Sequence, residues 1–238
     1  MKSKKIVILT GAGISQESGI STFRDANGLW ENHDIMEVAS PQGWQKTPEL
    51  VLEFYNQRRR QLFDIQPNKA HYAITELQKH FDVQVITQNV DDLHERAGNA
   101  HVHHLHGELL KVKSDKNDTL IYEWKKDLHI GDTAEDGAQL RPDIVWFGEA
   151  VPMINKVIPI VQQADIFIIV GTGMQVYPAA GLIDFLDQNV HIYYIDPNPS
   201  AVYSDNPLTV IDQKAGTALP ALVKKLINEN NSDEETKI

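Results

Sequence analysis

Four short apolar runs, each ending in glycine or small polar residues, limit how this chain can fold. Ile6-Val7-Ile8-Leu9 leads into Thr10-Gly11-Ala12-Gly13, and residues 83–87 lead into Gln88-Asn89-Val90-Asp91. Ile166–Val170 ends in Gly171-Thr172-Gly173, and His191–Ile195 ends in Asp196-Pro197-Asn198. Runs of this length and β-branched content read as buried strands. Helical stretches separate them. Leu50, Val51, Phe54, Tyr55 and Leu62 recur close to a 3.6-residue period over Pro48–Asp64. Ala70, Ala73, Ile74 and Leu77 do so over residues 67–80, with Pro67 at the helix start. A short helix reaching Ala97, further helices over 154–163, 179–186 and 217–228, and short strands over 101–105 and 208–211 complete the pattern. Strands alternating with helices predict an α/β fold, a doubly wound and mostly parallel sheet. Ligands on such sheets bind beyond the carboxyl ends of the strands, where these small residues gather.

Residues 108–140 differ in character: they are rich in Lys, Asp, Gly and Thr, with Leu120, Ile121, Trp124 and Leu128 as scattered apolar positions. They read as a small inserted module, after which residues 141–149 return to strand-like content. The expected organisation is one domain over 1–238. Its Rossmann-like large lobe takes in about 1–24, 65–107 and 145–228; its small lobe takes in about 25–64 and 108–144; residues 229–238 form a flexible tail. The net charge of −11 argues against a general nucleic-acid binder, which needs a basic face. The count of cysteines is zero, which excludes disulfides and thiolate metal sites. The basic start Met1-Lys2-Ser3-Lys4-Lys5 precedes too short an apolar run for a signal peptide. No run approaches the roughly 20 apolar residues that span a bilayer. The expectation is a cytoplasmic protein without membrane contact.

The first strand end continues unusually. A dinucleotide-binding fingerprint wants a third glycine where Gln16 stands. The next glycine is Gly19, followed by Thr22-Phe23-Arg24-Asp25 and Gly28-Leu29-Trp30. Further on, His101, His103, His104 and His106 alternate along a strand. By themselves they suit either a metal site or packing and surface positions. Asn89 and Asp91 at a strand end suit either a ligand site or the cap of the following helix.

Taken in order, GAGIS-x-ESGI-x-TFR from Gly11, TQNVD from Thr87, HLHGE from His104, RPDIVWFGE from Arg141 and VGTG-x-x-VYPAA from Val170 resemble the sirtuins. These are NAD-dependent protein lysine deacylases, and the resemblance runs from Ile6 to about Leu226. It implies that Gly11, Ala12, Gly13, Glu17, Ser18, Thr22, Phe23, Arg24 and Trp30 line an NAD site. It also implies that Gln88, Asn89 and Asp91, with Val90 among them, hold the nicotinamide ribose and carboxamide. Gly171, Thr172 and Asp196, with Gly173, Pro197 and Asn198 beside them, take the adenosine part, and Ala215 lies near the adenine. The implied catalytic set is His106 as general base, with Asn89 and Asp91. An imidazole suits that role because it titrates near working pH. Val145, Phe147 and Gly148 would belong to a strand that pairs with an acyl-lysine peptide by β-augmentation. Residues 18–30 would then close over the ribose, with Phe23 and Arg24 as working side chains.

Two further points concern substrate and metal. Tyr55 and Arg58 lie three apart on a helix and share a face. A phenol and a guanidinium there suit a carboxylate. Sirtuins that prefer succinyl-, malonyl- or glutaryl-lysine carry the same pair; the other reading is a solvated basic face, since Arg59 and Arg60 adjoin. Most sirtuins hold a structural zinc through four cysteines in the module that here spans 108–140, and this chain has none, with Ser114 about where a first ligand is expected. The expectation is no metal, the module being packed around Ile121, Trp124 and Leu128. Gly173 and Asp196 also depart from the family's usual serine and asparagine. The competing functions are an NAD hydrolase or ADP-ribosyltransferase on the same fold, a nicotinamide-dependent dehydrogenase and a non-catalytic NAD sensor.

Overall fold

The structure is a computed structural model and describes residues 4–20, 29–30 and 33–235. In chain order it contains β1 (Lys5–Thr10), β2 (Leu29–Trp30), β3 (His33–Asp34), α1 (Ile35–Val38), α2 (Pro41–Lys46), α3 (Pro48–Asp64) and α4 (Lys69–Leu77). There follow β4 (Asp82–Thr87), α5 (Leu93–Arg96), β5 (Val102–His104), β6 (Gly107–Ser114), β7 (Ile121–Glu123) and β8 (Leu140–Ile144). The remainder is α6 (Ile154–Val161), β9 (Ile166–Val170), a 3-10 helix (Ala179–Phe185), β10 (His191–Ile195), β11 (Leu208–Ile211) and α7 (Ala215–Glu235).

Six strands form one parallel sheet in the order β11-β10-β9-β1-β4-β5. Helices cover both faces, which is why its strands read as unbroken apolar runs. Along β1, Ile6 and Ile8 join Ile74 and Leu77 of α4 and Leu219 and Leu222 of α7 in one core. Val7 and Leu9 point the other way, into a core with Val157 and Val161 of α6. Each of these four side chains is fully buried, and each burial contributes about 1.5–3 kcal/mol. The chain leaves β1 toward β4 and β5, then returns to the opposite side of β1 as β9. The topological switch therefore falls between the carboxyl ends of β1 and β9.

The stretch 108–140 stands apart from this sheet, as its composition predicts. β7-β6-β8 make a separate antiparallel sheet. It shares a third core with α1 to α3, around Val51, Phe54, Tyr55, Leu128 and Trp146. Polar contacts reinforce it. Asn56 Nδ2 donates to Leu128 O at 3.0 Å and Asn56 Oδ1 accepts from Leu128 N at 2.8 Å. Arg59 donates from Nε to Leu109 O at 3.1 Å and from NH1 to Asn56 Oδ1 at 2.7 Å.

Several boundaries differ from the sequence reading. The helix expected over 67–80 is Lys69–Leu77: Asn68, not Pro67, opens it, with its side chain accepting from Ala70 N at 2.9 Å. At its end Lys79 N and His80 N donate to Glu76 O and Leu77 O, closing tight turns instead of helix. The segment 179–186 is a 3-10 helix. The last helix starts at Ala215 and extends to Glu235, well into the stretch expected as tail. The strand expected over 141–149 stops at Ile144, because Glu149 Oε2 accepts from Trp146 N at 2.8 Å and Glu149 N donates back to Trp146 O, closing a turn. Phe147 and Gly148 lie in that turn and Val145 just before it, none of them in a strand. Ile121, expected in the packing of the module, is 47% exposed, whereas Leu128 is wholly buried.

Candidate active site

The switch point is built by close approach of two loops. An added Cβ on Gly13 would lie 2.6 Å from Gly171 Cα, and one on Gly11 would lie 2.7 Å from Thr172 Cβ. Gly11 N donates to Val170 O at 3.0 Å and Gly13 N to Gly171 O at 2.8 Å. These two N–H groups are thus used inside the protein, and the absence of Cβ atoms lets the two loops pack closely. Gly171 itself has φ 62°, the left-handed region that glycine tolerates. Thr172 is buried; its Oγ1 accepts from Gln88 Nε2 at 2.9 Å and its carbonyl from Tyr194 OH at 2.9 Å. Asp196, at the end of β10, is buried and accepts from Asn198 N, while Pro197 and Asn198 are exposed and Gly173 is half-buried. Ala215 is buried at the start of α7, where Glu17 Oε2 accepts from Gly216 N at 2.7 Å. Ala12 is half-buried beside the seam, and Ser18 Oγ accepts from Asn68 Nδ2. Thr22, Phe23 and Arg24 lie outside the described residues, as does the side chain of Trp30.

Beside this seam the turn after β4 carries the reactive groups. Asn89 is 7% and Asp91 5% exposed. Ser15 Oγ joins them: it accepts from Asn89 Nδ2 at 3.1 Å and donates to Asp91 Oδ2 at 3.0 Å. Asp91 Oδ1 accepts from Leu93 N at 3.1 Å, so this carboxylate also starts α5. The cap and the buried cluster are therefore the same residue. Burial pushes Asp91 up to about 6, against the hydrogen bonds from Leu93 N and Ser15. Beneath the turn, Asn89 N donates to Thr87 Oγ1, which lies 2.8 Å from Thr10 Oγ1. Thr10 Oγ1 in turn contacts His94 Nε2 at 3.0 Å. His94 Nδ1 donates to Asn99 Oδ1 at 2.8 Å, and burial holds His94 neutral, down to about 4.

His106 faces the same turn. Its Nδ1 lies 3.0 Å from Gln88 O. A carbonyl only accepts, so Nδ1 carries the proton and Nε2 keeps a lone pair. Burial lowers the His106 pKa, partly offset by that bond. The neutral tautomer with a basic Nε2 is what a general base requires. The other histidines of the alternating series do not converge on it. His101 is exposed, His103 Nε2 meets Gln84 Oε1 at 3.1 Å, and His104 bridges Asn89 O and Glu95. Among the described residues no three His, Asp or Glu side chains group as metal ligands would.

On the small-lobe side Tyr55 is fully buried, and its hydroxyl accepts from Trp146 Nε1 at 3.1 Å. Burial raises the Tyr55 pKa, so the phenol stays neutral. Arg58 is half-buried and stacks on the Phe54 ring at 4.6 Å. Arg59 is not part of a solvated basic face: it is 1% exposed and tied to the small sheet. Next to Trp146, Val145 N donates to His106 O at 2.9 Å and Phe147 N to Ala39 O at 3.0 Å. Phe147 and Gly148 are exposed.

This geometry has known counterparts. The Sir2 family pattern matches residues 11–178, more than half of the chain. The chain belongs to the Sir2 family. A Helicobacter pylori protein named NAD-dependent protein deacylase is 59% identical over 94% of this chain and 98% of its own length. A Bacteroides thetaiotaomicron protein of the same name is 50% identical over 94% and 98%. A crystal structure of a Sir2 homolog–NAD complex superposes with a TM-score of 0.83 at 39% identity, covering 96% of this chain and 91% of that one.

The zinc usual in Sir2 proteins does not fit this Sir2 chain. Where a first ligand is expected, Ser114 Oγ donates to Asp136 Oδ2 at 2.7 Å and accepts from Lys116 N and Asn117 N. Trp44 Nε1 donates to Asp115 Oδ1 at 2.9 Å, pinning the same turn to α2. These are neutral or hard-oxygen groups spent on one another, not a tetrahedral soft set. Ser15 and His94 carry no role of their own in the sequence reading, and His104 enters it only as one of the alternating histidines. Ser15 lies inside the GAGIS motif, which is a signal for it; for the two histidines the signal is only their position beside the QNVD and His-Gly motifs.

Proposed function

We propose that this Sir2 protein is an NAD-dependent protein lysine deacylase that removes succinyl and malonyl as well as acetyl groups. The products would be nicotinamide, O-acyl-ADP-ribose and free lysine. The observation that carries the reading is the pairing of a neutral His106, its proton fixed on Nδ1 by Gln88 O, with the buried Asn89–Ser15–Asp91 cluster at the sheet's switch point. The residues fit NAD: Gly11, Gly13 and Gly171 bring the loops after β1 and β9 together without side chains of their own, at the strand ends where doubly wound sheets take dinucleotides. Gly171, Thr172, Asp196, Pro197, Asn198 and Ala215 would hold the adenosine side, and Gln88, Asn89 and Asp91 the nicotinamide ribose. NAD held there would supply an electrophilic glycosidic carbon for the acyl-lysine oxygen, with nicotinamide as the leaving group, and His106 Nε2 would accept the proton of a ribose hydroxyl. Ser15 keeps Asn89 and Asp91 in register. Val145, Phe147 and Gly148 would meet the peptide from the turn after β8, offering exposed backbone at Phe147 and Gly148.

The acyl preference rests on Tyr55 and Arg58. A neutral phenol held by Trp146 can donate to a carboxylate, and a guanidinium supplies the counter-charge. The Trp146 link also joins α3 to the turn that would seat the peptide. A cytoplasmic location is part of this proposal, resting on the acidic, mixed composition. Among the described residues no helix is long and apolar enough to cross a membrane. The test is incubation with NAD and matched acetyl-, malonyl- and succinyl-lysine peptides, following nicotinamide and peptide mass. Equal molar release of nicotinamide and deacylated peptide is expected. Nicotinamide without loss of the acyl group would instead indicate an NAD hydrolase or ADP-ribosyltransferase.

A further inference from the structure

His104 is tied to the catalytic turn in a way its neighbours are not. It stands on β5 with its side chain 7% exposed. Its Nδ1 lies 2.8 Å from Asn89 O and its Nε2 lies 2.9 Å from Glu95 Oε1. The Asn89 carbonyl can only accept, so Nδ1 is protonated. Glu95 is held below the usual carboxylate range: burial raises it, but the His104 hydrogen bond and charge outweigh that. As a carboxylate it too accepts. Both ring nitrogens therefore donate, which only an imidazolium can do.

We propose that His104 is a positioning residue: as an imidazolium clamped between Asn89 O and the Glu95 carboxylate, it holds the turn that presents Asn89 and Asp91, and it slackens that turn on losing a proton. The inference rests on the deacylase reading for its effect on turnover, while the clamp itself rests on these two contacts. The titratable groups facing His104 are Glu95 and His94 on α5, Asp91 in the turn, Glu108 on β6 and His103 beside it on β5. Burial favours the neutral ring, but Glu95, the Asn89 carbonyl and Glu108 outweigh it and keep His104 above the ordinary 6.5. The cation also favours ionised Asp91, which burial otherwise pushes up. A lysine would hold its charge across the working range; a histidine makes the clamp sensitive to mild alkali.

The test combines side-chain 1H–15N NMR of the whole protein with the pH profile of nicotinamide release. At neutral pH both ring N–H groups of His104 should be seen, and their loss should coincide with an alkaline fall in kcat. Glu95→Gln, at a half-exposed position, should move both events to lower pH and cut kcat at mildly alkaline pH by about tenfold, the worth of one charged hydrogen bond. His104→Gln, which can still donate to Asn89 O, should keep most of kcat at neutral pH and lose the alkaline fall; His104→Phe should lower kcat about tenfold with little change in KM for NAD. A single ring N–H on His104 at neutral pH, or a Glu95→Gln protein with an unmoved titration, overturns the clamp. If the wild-type protein releases no nicotinamide with any acyl peptide, the deacylase reading fails, and the NMR titration still decides the clamp.

Discussion

The two sheets are stabilised in different ways. The parallel sheet relies on apolar burial: Ile6, Val7, Ile8 and Leu9 of β1 and Phe167, Ile168, Ile169 and Val170 of β9 are all fully buried. The small antiparallel sheet has partly exposed strands and is secured by directed polar contacts, Asn56 to Leu128, Arg59 to Leu109, Ser114 to Asp136 and Trp44 to Asp115. The reactive groups sit between the two, since His106 lies in the short connection between β5, which ends at His104, and β6, which begins at Gly107. Non-directional burial holds a scaffold but cannot by itself set a lobe's angle. Hydrogen bonds with fixed partners can. One lobe can therefore be damaged at its polar contacts with little effect on the other.

The largest expected effect is in the shared seam. His106→Ala should lower turnover by about 10²–10⁴-fold, while calorimetry still detects NAD binding and the melting curve is unchanged. Loss of NAD binding in that variant would make His106 a structural residue. Next comes the small lobe. Asn56→Ala leaves Leu128 N–H, Leu128 C=O and the Arg59 NH1 without their partner. It should cost about 3 kcal/mol in urea unfolding, with faster hydrogen exchange in residues 107–144 and unchanged protection in β1 and β9. Uniform loss of protection would show that the two regions are not separable. Arg58→Met should then lower desuccinylation by about 10–100-fold relative to deacetylation; equal loss of both removes the acyl-receptor idea. The acid limb of kcat/KM should have its midpoint near 6, since Asp91 must be ionised and burial sets it at about 6. A limb at ordinary carboxylate pH would place Asp91 outside the rate. Smallest of all, Ser114→Ala should lower Tm by about 2–4 °C, and a zinc chelator should leave wild-type Tm unmoved. A chelator-sensitive Tm would mean the module holds a metal after all.

How far the sequence could be read follows the same division. The parallel strands were legible because burial on both faces demands unbroken β-branched runs, a purely local signal. The module at 108–140 was legible by contrast, but its internal packing was not. Ile121 was assigned to the core by its chemistry, yet only its partner strands decide which face it takes, and it is 47% exposed. The alternative of a solvated basic face around Arg59 fails for the same reason: Arg59 is buried, with Leu109 O and Asn56 Oδ1 accepting from two of its nitrogens. The turn at 145–149 was taken as strand because nothing local announces that the Glu149 side chain will cap Trp146 N.

By itself, then, the amino-acid sequence determined the alternation of strands and helices, the glycine-lined strand ends and the choice of a lobe without cysteine ligands. These depend on the residue type at each position and its immediate neighbours. The tertiary structure alone decided which groups work together. Ser15 reaches Asn89 and Asp91 across 74 and 76 residues of chain. Gly11 and Gly13 spend their N–H groups on Val170 O at the end of β9 and Gly171 O just after it. His104 is charged because a carbonyl and a carboxylate face its two nitrogens. A protonation state or a shared hydrogen bond belongs to a pair of groups held at fixed distance, and that distance exists only once the chain has folded.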